Sequence, residues 1–113
     1  MPEISLGPLS QFTTGSLTRI EVGLQPIAIA VTQEGNIHII DDLCTHANAR
    51  LSDGWIEEGC VACPWHGAQF DLETGKALSL PATGQVKTYP VVIRENQLFT
   101  EMDSEEATDA SAP

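Results

Sequence analysis

The chain has 113 residues, 16 of them Asp or Glu against 5 Lys or Arg, for a formal net charge of −11. That length holds one domain of ordinary size, and the acidic balance excludes a nucleic-acid binder, which needs clustered bases, and docking on an anionic membrane surface. Three cysteines exclude a fully paired disulfide scaffold, and 42% hydrophobic residues exclude global disorder.

The first residues, Met1-Pro2-Glu3-Ile4-Ser5, lack the basic and apolar stretch of a secretory signal, so a cytoplasmic protein is expected. Short runs rich in β-branched residues predict strands over 17–22, 27–32 and 36–41. The run Ile27-Ala28-Ile29-Ala30-Val31 is the longest apolar stretch, far short of the ~20 residues that span a bilayer. Glu34-Gly35 between two such runs predicts a hairpin. His38 alternates with Ile37 and Ile39 and is expected on the opposite strand face from them.

The segment 41–73 breaks the pattern. It carries Gly, Cys and His with only brief apolar pieces, and reads as a stretch of little regular structure that needs an organising element. Strand signals resume over 86–93 and 97–100, with Gly75, Pro81 and Glu95-Asn96 as turns. No window repeats apolar residues with helical period, so the expected architecture is all-β and antiparallel. We place one domain at 1–100, with its loop-rich subdomain at about 41–73. The remaining 101–113 hold five acids and no base and read as a disordered tail. The segment 41–73 holds seven acids against Arg50, and the rest of the chain has four of each sign, so the charge of the folded body sits on this one segment.

The candidate ligands lie there: Cys44-Thr45-His46, then 16 residues, then Cys63-Pro64-Trp65-His66-Gly67. Two Cys and two His could hold a tetrahedral zinc in a structural module. Zinc sites usually group like ligands, however, and here each half is mixed. Mixed halves suit a two-iron cluster in which one iron takes both thiolates and the other both imidazoles. Cys60 adds a Cys60-x-x-Cys63 pair, but no βαβ pattern surrounds it and Cys60 reads as a packing residue. Trp55 reads as core or loop packing, while Trp65 is open to shielding the site or touching a partner.

Cys44-x-His46 with Cys63-x-x-His66-Gly67 resembles the Rieske iron–sulfur signature. Asp42, Leu51-Ser52-x-Gly54, Phe70-Asp71-x-x-Thr74-Gly75 and a Pro81 loop agree with it, so the resemblance covers most of the chain. The chain as a whole resembles the small Rieske ferredoxins of bacterial aromatic-ring-hydroxylating dioxygenase systems. That resemblance implies a Rieske fold, with a cluster-binding subdomain inserted in a β-sandwich base. It implies one 2Fe-2S cluster held by Cys44 and Cys63 on one iron and His46 and His66 on the other, the histidines at the subdomain tip. It implies no catalytic activity but one-electron transfer between a ferredoxin reductase and a terminal oxygenase by a monomer; the concentration of acids on the central segment adds the expectation that Asp53, Glu57 and Glu58 steer basic partners. The small subunit of a nitrite reductase shares this resemblance and is the alternative role.

Histidine ligation lifts such clusters from about −400 mV to between about −150 and +300 mV. Respiratory Rieske proteins resemble this motif but carry a disulfide across the two loops, where this chain has Ala49 and Trp65. They also place hydroxyl donors where this chain has Ala68 and Phe70. The missing donors predict a potential on the order of −150 mV. After the cluster has used two of the three histidines, only His38 remains, too few for a mononuclear iron site. No Gly-x-Gly-x-x-Gly nucleotide fingerprint is present.

Overall fold

The computed structural model describes residues 3–43, 49–64, 67–78 and 85–102. Ten strands lie among them: β1 (Glu3–Pro8), β2 (Leu17–Val22), β3 (Gln25–Val31), β4 (Ile37–Asp41), β5 (Trp55–Glu57), β6 (Cys60–Ala62), β7 (Gln69–Asp71), β8 (Thr88–Tyr89), β9 (Val92–Arg94) and β10 (Gln97–Glu101). They form three antiparallel sheets, ordered β2-β3-β4-β8, β1-β10-β9 and β5-β6-β7. The described residues contain no α-helix.

β3 explains the layering. Ile27, Ile29 and Val31 enter one apolar cluster, with Leu6, Phe12, Ile39, Tyr89, Leu98 and Met102. Ala28 and Ala30 enter the other, with Ile40, Leu51, Val61, Cys63, Phe70 and Leu72. Buried on both faces, β3 reads in sequence as an unbroken apolar run. Each fully buried Ile contributes about 1.5–3 kcal/mol. The four-stranded sheet is thus the middle layer, with the β1-β10-β9 sheet on one side and the β5-β6-β7 sheet on the other.

The hairpin expected at Glu34-Gly35 joins β3 to β4. Thr32 N–H donates to Asn36 O at 2.9 Å, and Asn36 N–H donates to Thr32 Oγ1 at 3.0 Å. Gly35, at φ 89°, supplies the left-handed residue this turn requires.

Four expectations need correction. The predicted strand 86–93 is two strands in different sheets: Tyr89 pairs with Ile39, and Val92 with Phe99. Pro90 lies between them, and having no N–H it cannot continue a ladder. The tail set at 101–113 starts too early, since Glu101 pairs with Glu3 in β10 and Met102 is fully buried; 103–113 lie outside the described residues. β1 was not expected, because Gly7 and Pro8 interrupt it and its partner comes from the far end of the chain. Its ladder carries a bulge between Ser5 and Gly7. The segment 41–73 is not devoid of regular structure, for it builds the β5-β6-β7 sheet. Strands of three residues show a single alternation each, too little for a period to register.

Candidate metal centre

The first ligand segment leaves the middle sheet at the end of β4, and the second leaves the β5-β6-β7 sheet at the end of β6. Cys44, His46, His66, Trp65 and Pro81 lie outside the described residues. Cys63 is described. Its residue is fully buried in the cluster that contains Ala49, Leu51, Ala68, Phe70, Leu72 and Val86. Ala49 is the first described residue after the first ligand segment, so the core that holds Cys63 also holds the residue at which that segment ends.

The second ligand loop is a tight return. Cys63 N–H donates to Ala68 O at 2.7 Å, closing the chain across 64–67. Gly67 takes φ 68°, where a β-carbon would be strained, and Pro64 restricts the other side of the turn. The loop then feeds β7, where Phe70 turns into the core and is fully buried.

Gly54 matters for a different reason. A β-carbon there would lie 1.8 Å from the carbonyl oxygen of Ala62, the residue before Cys63. Asp42, two residues before Cys44, has a fully buried side chain that accepts from Arg19 at 2.8 Å and from Ser52 Oγ at 2.6 Å. The sequence pattern marked Asp42, Ser52 and Gly54 without saying what they do, and no local signal marked Arg19.

The outer face of the β5-β6-β7 sheet carries charge. Asp53, Glu57 and Glu58 are exposed as expected. Trp55 is not core packing: it is 48% exposed, and its indole N–H donates to Glu57 Oε1 at 3.4 Å. Gln69 Nε2 reaches the same oxygen at 3.2 Å.

Cys60 and His38 sit apart from the ligand loops, at the opposite ends of β6 and β4. With Glu34, Glu58, Asp71 and Glu73 they line a cleft of about 590 Å³. Burial, then the charges of Asp71, Glu58 and Glu57, push the Cys60 thiol up, so it keeps its proton at neutral pH. That is the opposite of the lowered thiol of a thioredoxin-like pair. Among the described residues no three His, Cys, Asp or Glu side chains gather as a metal site, and none of the helices is long and apolar enough to cross a membrane.

A buried cysteine at the mouth of a loop, packed among Ala, Leu and Phe, suits a thiolate bound to iron and sulfide. Sequence comparison matches residues 3–90 to the Rieske [2Fe-2S] domain. A 3-phenylpropionate/cinnamic acid dioxygenase ferredoxin subunit from Photorhabdus laumondii is 45% identical over 74 residues, covering 65% of this chain and 70% of that protein. The ferredoxin component of naphthalene 1,2-dioxygenase/salicylate 5-hydroxylase systems from a Ralstonia species is 40% identical over 95 residues, covering 84% and 90%. Among solved structures, the complex of reduced oxygenase and oxidized ferredoxin in carbazole 1,9a-dioxygenase contains a similar chain. It has a TM-score of 0.77 and 28% identity, covering 87% of this chain and 91% of that one.

Proposed function

The chain belongs to the Rieske [2Fe-2S] domain family, and from that premise we propose that it carries single electrons from an NAD(P)H-dependent ferredoxin reductase to a terminal oxygenase that attacks aromatic rings. Its cofactor is one Rieske-type 2Fe-2S cluster, and the chain is an electron-transfer component rather than an enzyme. Bound there, the cluster supplies a reversible one-electron couple. Cys44 and Cys63 would hold one iron as thiolates and His46 and His66 the other as neutral imidazoles.

The observation that carries this reading is the shared core of Cys63 and Ala49. One apolar core holds Cys63 and the residue that follows the first ligand segment, which agrees with a cluster bridging the two. Ala49, Ala68 and Phe70 exclude water from the Cys63 sulfur and offer no side-chain hydroxyl to it. With fewer donors to stabilise added charge, the potential falls at the low end of the family, on the order of −150 mV.

The exposed acids Asp53, Glu57 and Glu58 pre-orient basic surfaces on both partners, giving brief, salt-sensitive encounters of a cytoplasmic monomer. The oxygenase–ferredoxin complex of the carbazole system supports an oxygenase as acceptor. EPR of the reduced protein is the test, with a mean g value below that of a plant-type ferredoxin expected. A colourless, EPR-silent protein ends the proposal. Reductase-coupled transfer that is indifferent to ionic strength would remove the steering role alone.

A further inference from the structure

We propose that Asp42 is a positioning residue for the cluster: with Ser52 and Arg19 it forms a buried clasp that sets the first ligand segment in register. This rests on the ligand assignment above.

The clasp joins three parts of the chain. Ser52 N–H donates to Asp42 Oδ1 at 2.6 Å and Ser52 Oγ–H donates to Oδ2 at 2.6 Å, while Arg19 from β2 donates to Oδ2 at 2.8 Å. The backbone N–H of Asp42 donates to Pro26 O at 3.2 Å. Residue 42 is therefore held through both its backbone and its side chain.

Ser52 is equally fixed. It sits in a 3-10 turn, Leu51–Asp53, closed by Asp53 N–H to Arg50 O at 3.1 Å and Gly54 N–H to Leu51 O at 3.0 Å. Leu51 is fully buried in the core that holds Cys63. The clasp thus ties the entry and exit of residues 43–51 to each other, and ties both to the second ligand loop.

Loop closure does not account for it. Closing nine residues costs little more than closing five, and an apolar pair would close them without a buried charge. A carboxylate in a dry interior is costly unless its donors are well placed, and here both oxygens are taken by directional bonds. Two oxygens bonded to two groups of one residue fix orientation as well as distance. A one-residue slip of the segment that carries Cys44 and His46 would break both bonds to Ser52. Partners behind metal ligands act in this way, and their loss commonly weakens metal holding by about 10–100-fold.

The test uses the cluster-loaded protein and three variants: Asp42→Asn, Ser52→Ala and Thr100→Val. Thr100, fully buried, bonds Pro90 O at 2.8 Å in the outer sheet remote from the ligand loops, so its variant reports general destabilisation. Iron release to a chelator is followed by visible absorbance, and the spread of EPR g values is recorded beside the thermal midpoint. Asp42→Asn is expected to release iron about 10–100-fold faster with a broadened signal. Ser52→Ala, which keeps the backbone bond, moves less in the same direction. Thr100→Val, at a comparable loss of midpoint, keeps the wild-type signal and rate.

Release from Ser52→Ala and Asp42→Asn no faster than from Thr100→Val at matched midpoint loss overturns the clasp. Should Asp42→Asn not fold, Ser52→Ala decides alone. A Cys44→Ser variant that keeps the wild-type cluster signal overturns the ligand assignment itself, a failure separate from that of the clasp.

Discussion

The two faces of β3 support cores of different grain. Toward the β1-β10-β9 sheet it presents Ile27, Ile29 and Val31, which meet Leu98, Phe12 and Met102. Toward the ligand loops it presents Ala28 and Ala30, and the residues across from them include Ala49, Cys63 and Ala68. Large side chains interlock and fix one sheet on another without help. Small ones on β3 let the backbone carrying Leu51, Phe70 and Leu72 pack close over it, and the ligand loops add directional hydrogen bonds to that packing. The base is held by packing and the ligand side by directional contacts, so each should fail to a different insult.

The sharpest separation comes from the base. Leu98→Ala removes a fully buried side chain and is expected to cost about 2–5 kcal/mol in chemical denaturation. The visible spectrum per folded molecule stays as in wild type; a spectrum lost ahead of the fold would break the division. Gly54→Ala is the converse. Its β-carbon meets Ala62 O, the backbone next to Cys63 must shift, and about 1–3 kcal/mol is lost. Cluster content measured by iron analysis falls before strand content measured by circular dichroism.

Ala68→Ser sharpens the electronic side. Ala68 is buried in the same core as Cys63, and a hydroxyl there would add a donor close to the ligand loop. A hydrogen bond to a charged acceptor corresponds to a rise on the order of 60 mV in a one-electron potential, read by redox titration. A fall would contradict the missing-donor account.

The smallest effect belongs to Tyr89. Its hydroxyl donates to Asp41 Oδ1 at 2.5 Å, and burial, then that bond and that charge, push the phenol well above its ordinary range. A raised folded value stabilises the protein below the unfolded phenol's pKa of about 10, and this contribution is lost as pH rises beyond it. Tyr89→Phe therefore costs about 1 kcal/mol at neutral pH and flattens the alkaline decline in thermal midpoint.

Legibility in the sequence followed the same division. β2, β3, β4 and β10 were readable because each spans five or more residues and packs side chains that alternate or run apolar. The family was readable by chemistry, since Cys-x-His and Cys-x-x-His spacing announces itself whatever the backbone does. β5, β6 and β7 escaped, because three residues carry no period. The partition at Pro90 was visible as a proline, but its meaning depended on which sheet each half joined. Of the core and loop packing expected of Trp55, its half-exposed indole removes the core role, which depended on which face of β5 it occupies. Arg19 had no signal at all: its partner lies 23 positions away, and only the fold brings them together.

Glu3 stands opposite Glu101, so the two extremities of the described chain lie side by side on the outer sheet, across the whole thickness of the middle layer from the ligand loops. A label attached at residue 3 or at residue 101 would depart from the same edge, on the far side of the middle layer from Cys63. A bridge from residue 102 back to residue 3 would close the described chain into a ring, and new ends cut at the exposed Glu34-Gly35 turn between β3 and β4, at the far end of β4 from the first ligand segment, would re-thread the protein without crossing the redox end.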